Sequence, residues 1–189
     1  MTKFLPDEPP FNKELLRKTL VINFEGTMYA KDMKNGEGLV IHLRPGFRKF
    51  LKEMQNKYEI VIYSKEDGNF LGEVIRTIDP YMMYFPFYFG NEFLVTRPSG
   101  MYKDLRYLNR KLNKVVAVDL EDCYLNNKNN TIKMGKYSGE EDDKELKQLI
   151  LFLNHLAKSE VRDVRKEISK YGGFENALHN YYNELHSKY

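Results

Sequence analysis

The stretch LVINFEGT (residues 20–27) decides the fold, because a short and largely apolar run leads directly into a polar turn that contains glycine. Two stretches of the same kind follow, Tyr58–Tyr63 (YEIVIY) and Val115–Asp119 (VVAVD), and a shorter one covers residues 131–134. Short continuous apolar runs are typical of strands that are covered on both faces of a parallel sheet. The pattern therefore predicts a mostly parallel sheet built from these segments.

The segments between the predicted strands have helical periodicity. A helix is predicted after the sequence Arg44-Pro45-Gly46, with Pro45 at its first position and one apolar face made of Phe47, Phe50, Leu51 and Met54. Asp67 is predicted to cap the next helix, which Pro80 ends. Residues 31–38 are expected to form a polar connection, and residues 84–96 a short hairpin. Further helices are predicted over residues 104–112, 146–156, 161–171 and 174–185. Strands that alternate with helices predict an α/β domain with flanking helices and a small hairpin insert.

Length and composition limit the possible classes of protein. The 189 residues fit one domain, here divided into an irregular arm (1–18), a main domain (19–171) and a C-terminal helix (172–189). The net charge of +3 is too balanced for a dedicated nucleic-acid-binding protein, so no nucleic-acid partner is expected. Cys123 is the single cysteine, which excludes an intramolecular disulfide and a multi-cysteine zinc site. No apolar run approaches the roughly 20 residues that span a bilayer.

Polar residues follow three of the predicted strands at the point where each strand ends. Asn23, Glu25 and Thr27 follow the first strand, Ser64 follows the second, and Asp119 ends the third. Because the carboxyl ends of parallel strands form the usual ligand site of an open α/β sheet, we expect these side chains to meet there. Lys103 precedes the third strand and is expected to neutralise Asp119. Together these residues would surround a phosphate-sized space.

These motifs, in this order, resemble the NLI-interacting-factor phosphatase domain of the haloacid dehalogenase superfamily. The resemblance covers residues 19–171 and rests on NFEGT (23–27), RPG (44–46), Ser64, DP (79–80), GMYKDL (100–105) and Asp119. Within that family the chain is most similar to the presequence-receptor subunits of the mitochondrial inner-membrane translocase. The stretches YEIVIYS (58–64), YLNR (107–110) and EVRDVR (160–165) carry this closer likeness. The resemblance implies a haloacid-dehalogenase-like fold and a mitochondrial, inner-membrane-associated location.

The resemblance also assigns roles that this chain fills only in part. Its nucleophilic aspartate corresponds to Asn23, and an amide is a poor nucleophile and a weaker ligand for Mg²⁺ than a carboxylate. Its second aspartate, the general acid and base, corresponds to Glu25, and Leu120 replaces a polar neighbour of Asp119. We therefore expect a pseudo-phosphatase without a cofactor or metal, in which Thr27 and Ser64 bond to the backbone. The alternative is a residual Mg²⁺-dependent phosphoprotein phosphatase.

A pseudo-phosphatase of this kind is expected to bind protein, either as a presequence-receptor relative or as an accessory subunit of an inner-membrane complex. Membrane association is then expected only through partners. An aromatic and methionine-rich segment is the candidate docking face, because such residues are enriched at interfaces, although core beneath a hairpin explains it equally well. Its residues are Tyr81, Met82, Met83, Tyr84, Phe85, Phe87 and Phe89. The amphipathic C-terminal helix covers either the domain's own sheet or a partner helix.

Overall fold

The computed structural model of the chain describes residues 3–7, 17–34 and 38–187. Its strands are β1 (Lys18–Ile22), β2 (Tyr29–Lys34), β3 (Gly38–Leu43), β4 (Tyr58–Tyr63), β5 (Phe87–Phe89), β6 (Val95–Arg97), β7 (Gly100–Tyr102), β8 (Val115–Asp119) and β9 (Thr131–Lys133). Its α-helices are α1 (Phe47–Met54), α2 (Gly68–Ile78), α3 (Glu145–Leu156), α4 (Val164–Lys170) and α5 (Gly173–His186). These elements confirm the predicted α/β class.

A parallel sheet with the strand order β5-β4-β1-β8-β9 forms the centre of the fold. β1 lies in the middle, where Ile22 is in register with Ile62 on β4 and with Val118 on β8. Side chains alternate across the sheet, so Ile22 packs into the core beneath the helices while Val21 packs into a second cluster on the opposite face. Burial on both faces explains why these strands have continuous apolar sequences.

The helix boundaries follow their capping residues. The Asp67 side chain accepts hydrogen bonds from the backbone N–H groups of Asn69 and Phe70, which confirms the predicted cap of α2. Gly46, in the left-handed region with φ of 89°, is the residue that precedes α1. Pro45 therefore lies before the helix, and its prediction as the first helical residue was wrong. Asp163 caps α4, which begins later than the predicted residue 161.

Among the described residues, two hairpins lie outside the central sheet, and neither is where the sequence predicted one. The stretch expected to be a polar connection forms an antiparallel hairpin from β2 and β3, of which residues 35–37 are outside the described part. The hairpin predicted over residues 84–96 is absent from those residues. Instead β5 pairs in parallel with β4 at the sheet edge, and β6 pairs with β7. The helix predicted over 104–112 is two 3₁₀ turns, separated by Asn109 with φ of 57°.

The two ends of the chain pack on the domain. α5 lies against β9 and α3, with Tyr181 stacked on Phe152 at a ring-centroid distance of 4.7 Å, so this helix covers the domain's own sheet. Phe4 and Leu5 of the predicted N-terminal arm join the second core cluster. Residues 8–16 of this arm lie outside the described residues. None of the helices described is long and apolar enough to cross a membrane.

Candidate functional site

Lys103 links the carboxyl ends of β1 and β8. Its ammonium group lies 3.0 Å from Oδ1 of Asn23 and 2.6 Å from Oδ2 of Asp119. Lys103 is fully buried, and Asp119 is 2% exposed. The ion pair expected from the sequence is thus present. Because both charges are buried, removing either one would leave the other without a partner and would destabilise the fold.

The side-chain nitrogen of Asn23 faces the backbone. Its Nδ2 donates a hydrogen bond of 2.8 Å to the carbonyl oxygen of Glu25. This orientation is set by both neighbours, because Lys103 requires an acceptor on one side and the Glu25 carbonyl requires a donor on the other. A carboxylate at position 23 would place a second oxygen against the carbonyl oxygen, an arrangement that a bridging cation would have to offset. The asparagine amide therefore supplies a hydrogen bond where a carboxylate would need a cation.

Asp119 is bonded entirely to protein groups. Its Oδ1 accepts the backbone N–H of Leu120 at 2.8 Å, and its Oδ2 is also 3.3 Å from the thiol sulfur of Cys123. The Leu120 side chain covers Gly26, where an added β-carbon would come within 2.7 Å of the leucine Cδ1. Burial raises the pKa of the Cys123 thiol to about 12, so this cysteine is held protonated at neutral pH.

The oxygen atoms at this edge of the sheet do not fit a Mg²⁺ site. The Asn23 amide presents a donor to the Glu25 carbonyl, the Asp119 carboxylate is bonded to Lys103, and Leu120 adds hydrocarbon beside them. Mg²⁺ requires near-octahedral oxygen ligands and usually one or two free carboxylates. Across the described ranges, no group of three or more histidine, cysteine, aspartate or glutamate side chains is placed to hold a metal.

The two hydroxyl residues of the site bond to the strand ends. Thr27 donates to the carbonyl oxygens of Asn23 and Phe24, the latter at 3.2 Å. Ser64 accepts the backbone N–H of Glu66 at 3.2 Å and lies 3.3 Å from its carboxylate. Both side chains are buried, so they close the turns after β1 and β4.

Glu25 belongs to a charged cluster that the sequence did not predict, together with Tyr29, Lys31 and Glu66. Its carboxylate lies 2.7 Å from Lys31 Nζ, on the β2–β3 hairpin. Glu66 accepts a hydrogen bond from the Tyr29 hydroxyl at 3.0 Å and lies 3.6 Å from Lys31. Burial and the neighbouring Glu25 raise the pKa of Glu66 to about 7. Glu66 stands two residues after Ser64, but its partners come from a hairpin that the sequence did not predict.

Arg44 of the RPG motif is the other buried charge near the site. Its guanidinium binds both carboxylate oxygens of Asp143, at 2.8 and 2.7 Å, and Glu145 at 2.5 Å. It also donates to the carbonyl oxygens of Thr27 and Gly135, each at 3.1 Å. The arginine therefore ties the site turn after β1 to the start of α3, a role that its motif alone did not indicate.

The predicted docking face is only partly exposed. Tyr81 is 84% exposed and Met83 is 69% exposed, whereas Phe85 and Phe89 are buried in the core. Including Phe85 and Phe89 in a binding face was therefore wrong, because these side chains pack beneath the sheet edge and helices. Met82, Tyr84 and Phe87 are half-buried. The exposed part of the segment is the loop that follows α2.

The parallel sheet, with Asn23, Lys103 and Asp119 at its carboxyl edge, is the arrangement of a haloacid-dehalogenase-like, phosphatase-like domain. The sequence model of the NLI interacting factor-like phosphatase family matches residues 16–165, so the chain belongs to this family. The predicted family membership is thus confirmed.

Two relatives among curated proteins are subunits of the mitochondrial import inner membrane translocase. The chain is 32% identical over 173 residues to the mitochondrial import inner membrane translocase subunit tim50 of Aspergillus fumigatus, covering 90% of this chain and 34% of that protein. It is 31% identical to the Candida albicans subunit, over 90% of this chain and 37% of that protein. The chain spans about a third of the length of these relatives.

Solved structures of the RNA polymerase II CTD phosphatase Fcp1 share the fold. One superposes with a TM-score of 0.55 at 19% identity, covering 88% of this chain and 57% of that chain. The fission yeast enzyme bound to beryllium fluoride gives a TM-score of 0.52 at 19% identity, over 93% of this chain and 63% of that chain. At this identity the likeness shows the fold and does not assign an activity.

Proposed function

We propose that the chain is a phosphatase-like domain that binds protein at the mitochondrial inner membrane and does not hydrolyse phosphoesters. The observation that carries this proposal is the bonding of Asn23, whose amide lies between Lys103 and the Glu25 carbonyl. A neutral amide at the nucleophile position cannot form the covalent phosphoenzyme that a carboxylate forms. Loss of a nucleophile costs on the order of 10⁴–10⁶-fold in rate in covalent catalysis.

The position of Glu25 adds a second reason. A general acid must reach the leaving-group oxygen, within about 2.6–3.2 Å or through one water. The Glu25 carboxylate is instead paired with Lys31 on the hairpin. The retained Thr27, Ser64, Lys103 and Asp119 would in this view stabilise the strand ends, as their hydrogen bonds suggest.

The location is supported by the names of the relatives, which are subunits of the mitochondrial import inner membrane translocase. In this proposal a protein partner holds the domain at the membrane, since the relatives are subunits of a membrane complex. The partner is either the translocase, with presequences as ligands, or another inner-membrane complex in which the domain is an accessory subunit.

Hydrolysis of p-nitrophenyl phosphate with Mg²⁺ tests the catalytic half of the proposal. The wild-type chain should give no turnover above buffer, and a Glu25→Gln variant should be indistinguishable from it. Turnover that Glu25→Gln abolishes would overturn the proposal and indicate a residual Mg²⁺-dependent phosphatase. This second function is tested because Thr27, Ser64, Lys103 and Asp119 still occupy their positions in the site.

Affinity purification from mitochondria in mild detergent, followed by mass spectrometry, tests the other half. Recovery of translocase subunits would support a role in import. Stoichiometric recovery of a different inner-membrane complex would indicate an accessory subunit. Recovery of the chain alone would contradict both forms of the proposal.

A further inference from the structure

A groove of about 560 Å³ lies between the β2–β3 hairpin, α1 and the end of α2. Its floor is apolar and combines buried with half-buried side chains. The residues of this floor are Ile41, Leu43, Phe47, Leu51, Ile78 and Tyr84. The groove is separate from the Lys103 site, and a volume of this size accommodates several side chains of a bound segment.

The charges of this groove have one sign. Arg48 and Lys52 line it from α1, four residues apart and therefore one above the other on the helix. No carboxylate lines the groove, and neither cation makes an ion pair within the part of the chain that the structure describes. This differs from Lys49 on the same helix, which lies 3.9 Å from Glu53.

An exposed apolar loop connects two of the residues that line the groove. Ile78 and Tyr84, which line the groove, flank the loop that carries the exposed Tyr81 and Met83. The Asp79 carboxylate holds this loop by accepting the backbone N–H groups of residues 83–85, at 3.0, 2.7 and 3.0 Å. The preceding Met82 has φ of 52°, a conformation that costs a non-glycine residue about 1 kcal/mol or more and persists because the surrounding structure fixes it. The loop thus presents two large apolar side chains to solvent from a fixed backbone.

We propose that this groove binds an acidic amphipathic segment of a partner protein. Apolar side chains of the segment would fill the floor, and carboxylates one helical turn apart would pair with Arg48 and Lys52. The inference rests on the proposed function and specifies the chemistry of the partner. It also separates this groove from presequence binding, because mitochondrial presequences are rich in arginine and poor in acidic residues and would be repelled by the two cations.

Three synthetic peptides with a fluorescent label test the charge preference of the full chain. One carries apolar residues at i, i+3, i+4 and i+7 with glutamates on the opposite and flanking positions. The second replaces each glutamate by lysine, and the third is a scramble of the acidic peptide. Fluorescence anisotropy at low salt should show binding of the acidic peptide alone. Equal or tighter binding of the basic peptide, or no preference for the acidic peptide over its scramble, would overturn the proposal.

A charge-reversed variant locates the site. Arg48→Glu with Lys52→Glu should weaken binding of the acidic peptide by about tenfold or more, since two attractive pairs become repulsive. The matched control is Lys147→Glu with Lys166→Glu, which makes the same change in net charge at exposed positions outside the groove and should bind as the wild type does. An equal loss in both variants would refute the groove as the site.

A loop variant and the purification assay distinguish the two proposals. Tyr81→Ala with Met83→Ala removes exposed apolar area and should also weaken binding of the acidic peptide, with an unchanged melting temperature.

If the wild type co-purifies with an inner-membrane complex and the Arg48→Glu, Lys52→Glu variant does so equally, the groove inference fails while the proposed function stands. If the wild type recovers no inner-membrane protein, the proposed function fails whatever the peptides show.

Discussion

Replacing Asn23 by aspartate should destabilise the protein, and Mg²⁺ should recover part of the loss. The substitution changes one NH₂ group to oxygen at a side chain that is 9% exposed. The hydrogen bond of 2.8 Å to the Glu25 carbonyl is lost, and two oxygen atoms face each other in its place. Lys103 cannot neutralise the new charge fully, because it already pairs with Asp119 at 2.6 Å.

The size of the effect follows from these contacts. One lost neutral hydrogen bond costs about 0.5–1.5 kcal/mol, and an incompletely paired buried carboxylate adds a similar amount, for a sum of about 1–3 kcal/mol. In a chain of this length, 2 kcal/mol corresponds to a decrease in melting temperature of about 4–8 °C. A cation that binds between the two oxygens with a Kd of about 1 mM would return about 1.4 kcal/mol at 10 mM Mg²⁺.

Thermal unfolding of the wild type and of Asn23→Asp, each in chelator and in 10 mM MgCl₂, measures both effects. The wild type is the control for general salt effects and should melt at the same temperature with and without Mg²⁺. The reasoning about Asn23 is refuted if Asn23→Asp is as stable as the wild type in chelator. It is equally refuted if Mg²⁺ raises the melting temperature of both proteins by the same amount.

Three further substitutions test the other buried or half-buried charges. Lys103→Met should cost about 3–5 kcal/mol of unfolding free energy because it leaves Asp119 buried and unpaired, and adding Asp119→Asn should recover part of that loss in urea titrations. Arg44→Lys should cost about 2–3 kcal/mol, since a lysine cannot reproduce the five directed hydrogen bonds of the guanidinium, and a wild-type urea midpoint would contradict this. The pKa of Glu66, raised from 4.5 to about 7, contributes stability that is fully present below pH 4.5 and is lost as the pH rises through 7. Glu66→Gln should therefore flatten the pH dependence between about pH 4.5 and 7 and exceed the wild type by up to about 3 kcal/mol at pH 8, and parallel pH profiles of the two proteins would refute this assignment.

The strands were predictable where the chain is buried on both sides. The bounds of β4 and β8 match the predicted segments, because continuous burial leaves a continuous apolar sequence. The strand β2 (YAKDMK) was missed because it carries charged residues on a hairpin outside the sheet. The strand β5 was assigned to a hairpin because its partner β4 lies more than twenty residues away in the chain, and no local pattern indicates which strands pair.

The site was predictable to a similar degree. That Asn23 and Asp119 meet follows from parallel strands that end at one edge. Lys103 follows β7 instead, and the structure places it within hydrogen-bonding distance of both. The orientation of the Asn23 amide and the separation of Glu25 toward Lys31 depend on turn geometry and on the β2–β3 hairpin. Those features required the three-dimensional arrangement, since the residues involved are ordinary surface types in the sequence.

Two sets of cations in this domain differ in their surroundings, and the difference bears on function. Arg44, Lys103 and Arg110 are buried and each has a carboxylate partner, as electrostatics requires of charges removed from water. Arg48 and Lys52 are exposed beside an apolar groove and have no such partner among the described residues. The first group contributes to folding, because its partners lie within the chain. The placement of the second group at the wall of an apolar groove favours a role in which the carboxylates come from a bound protein.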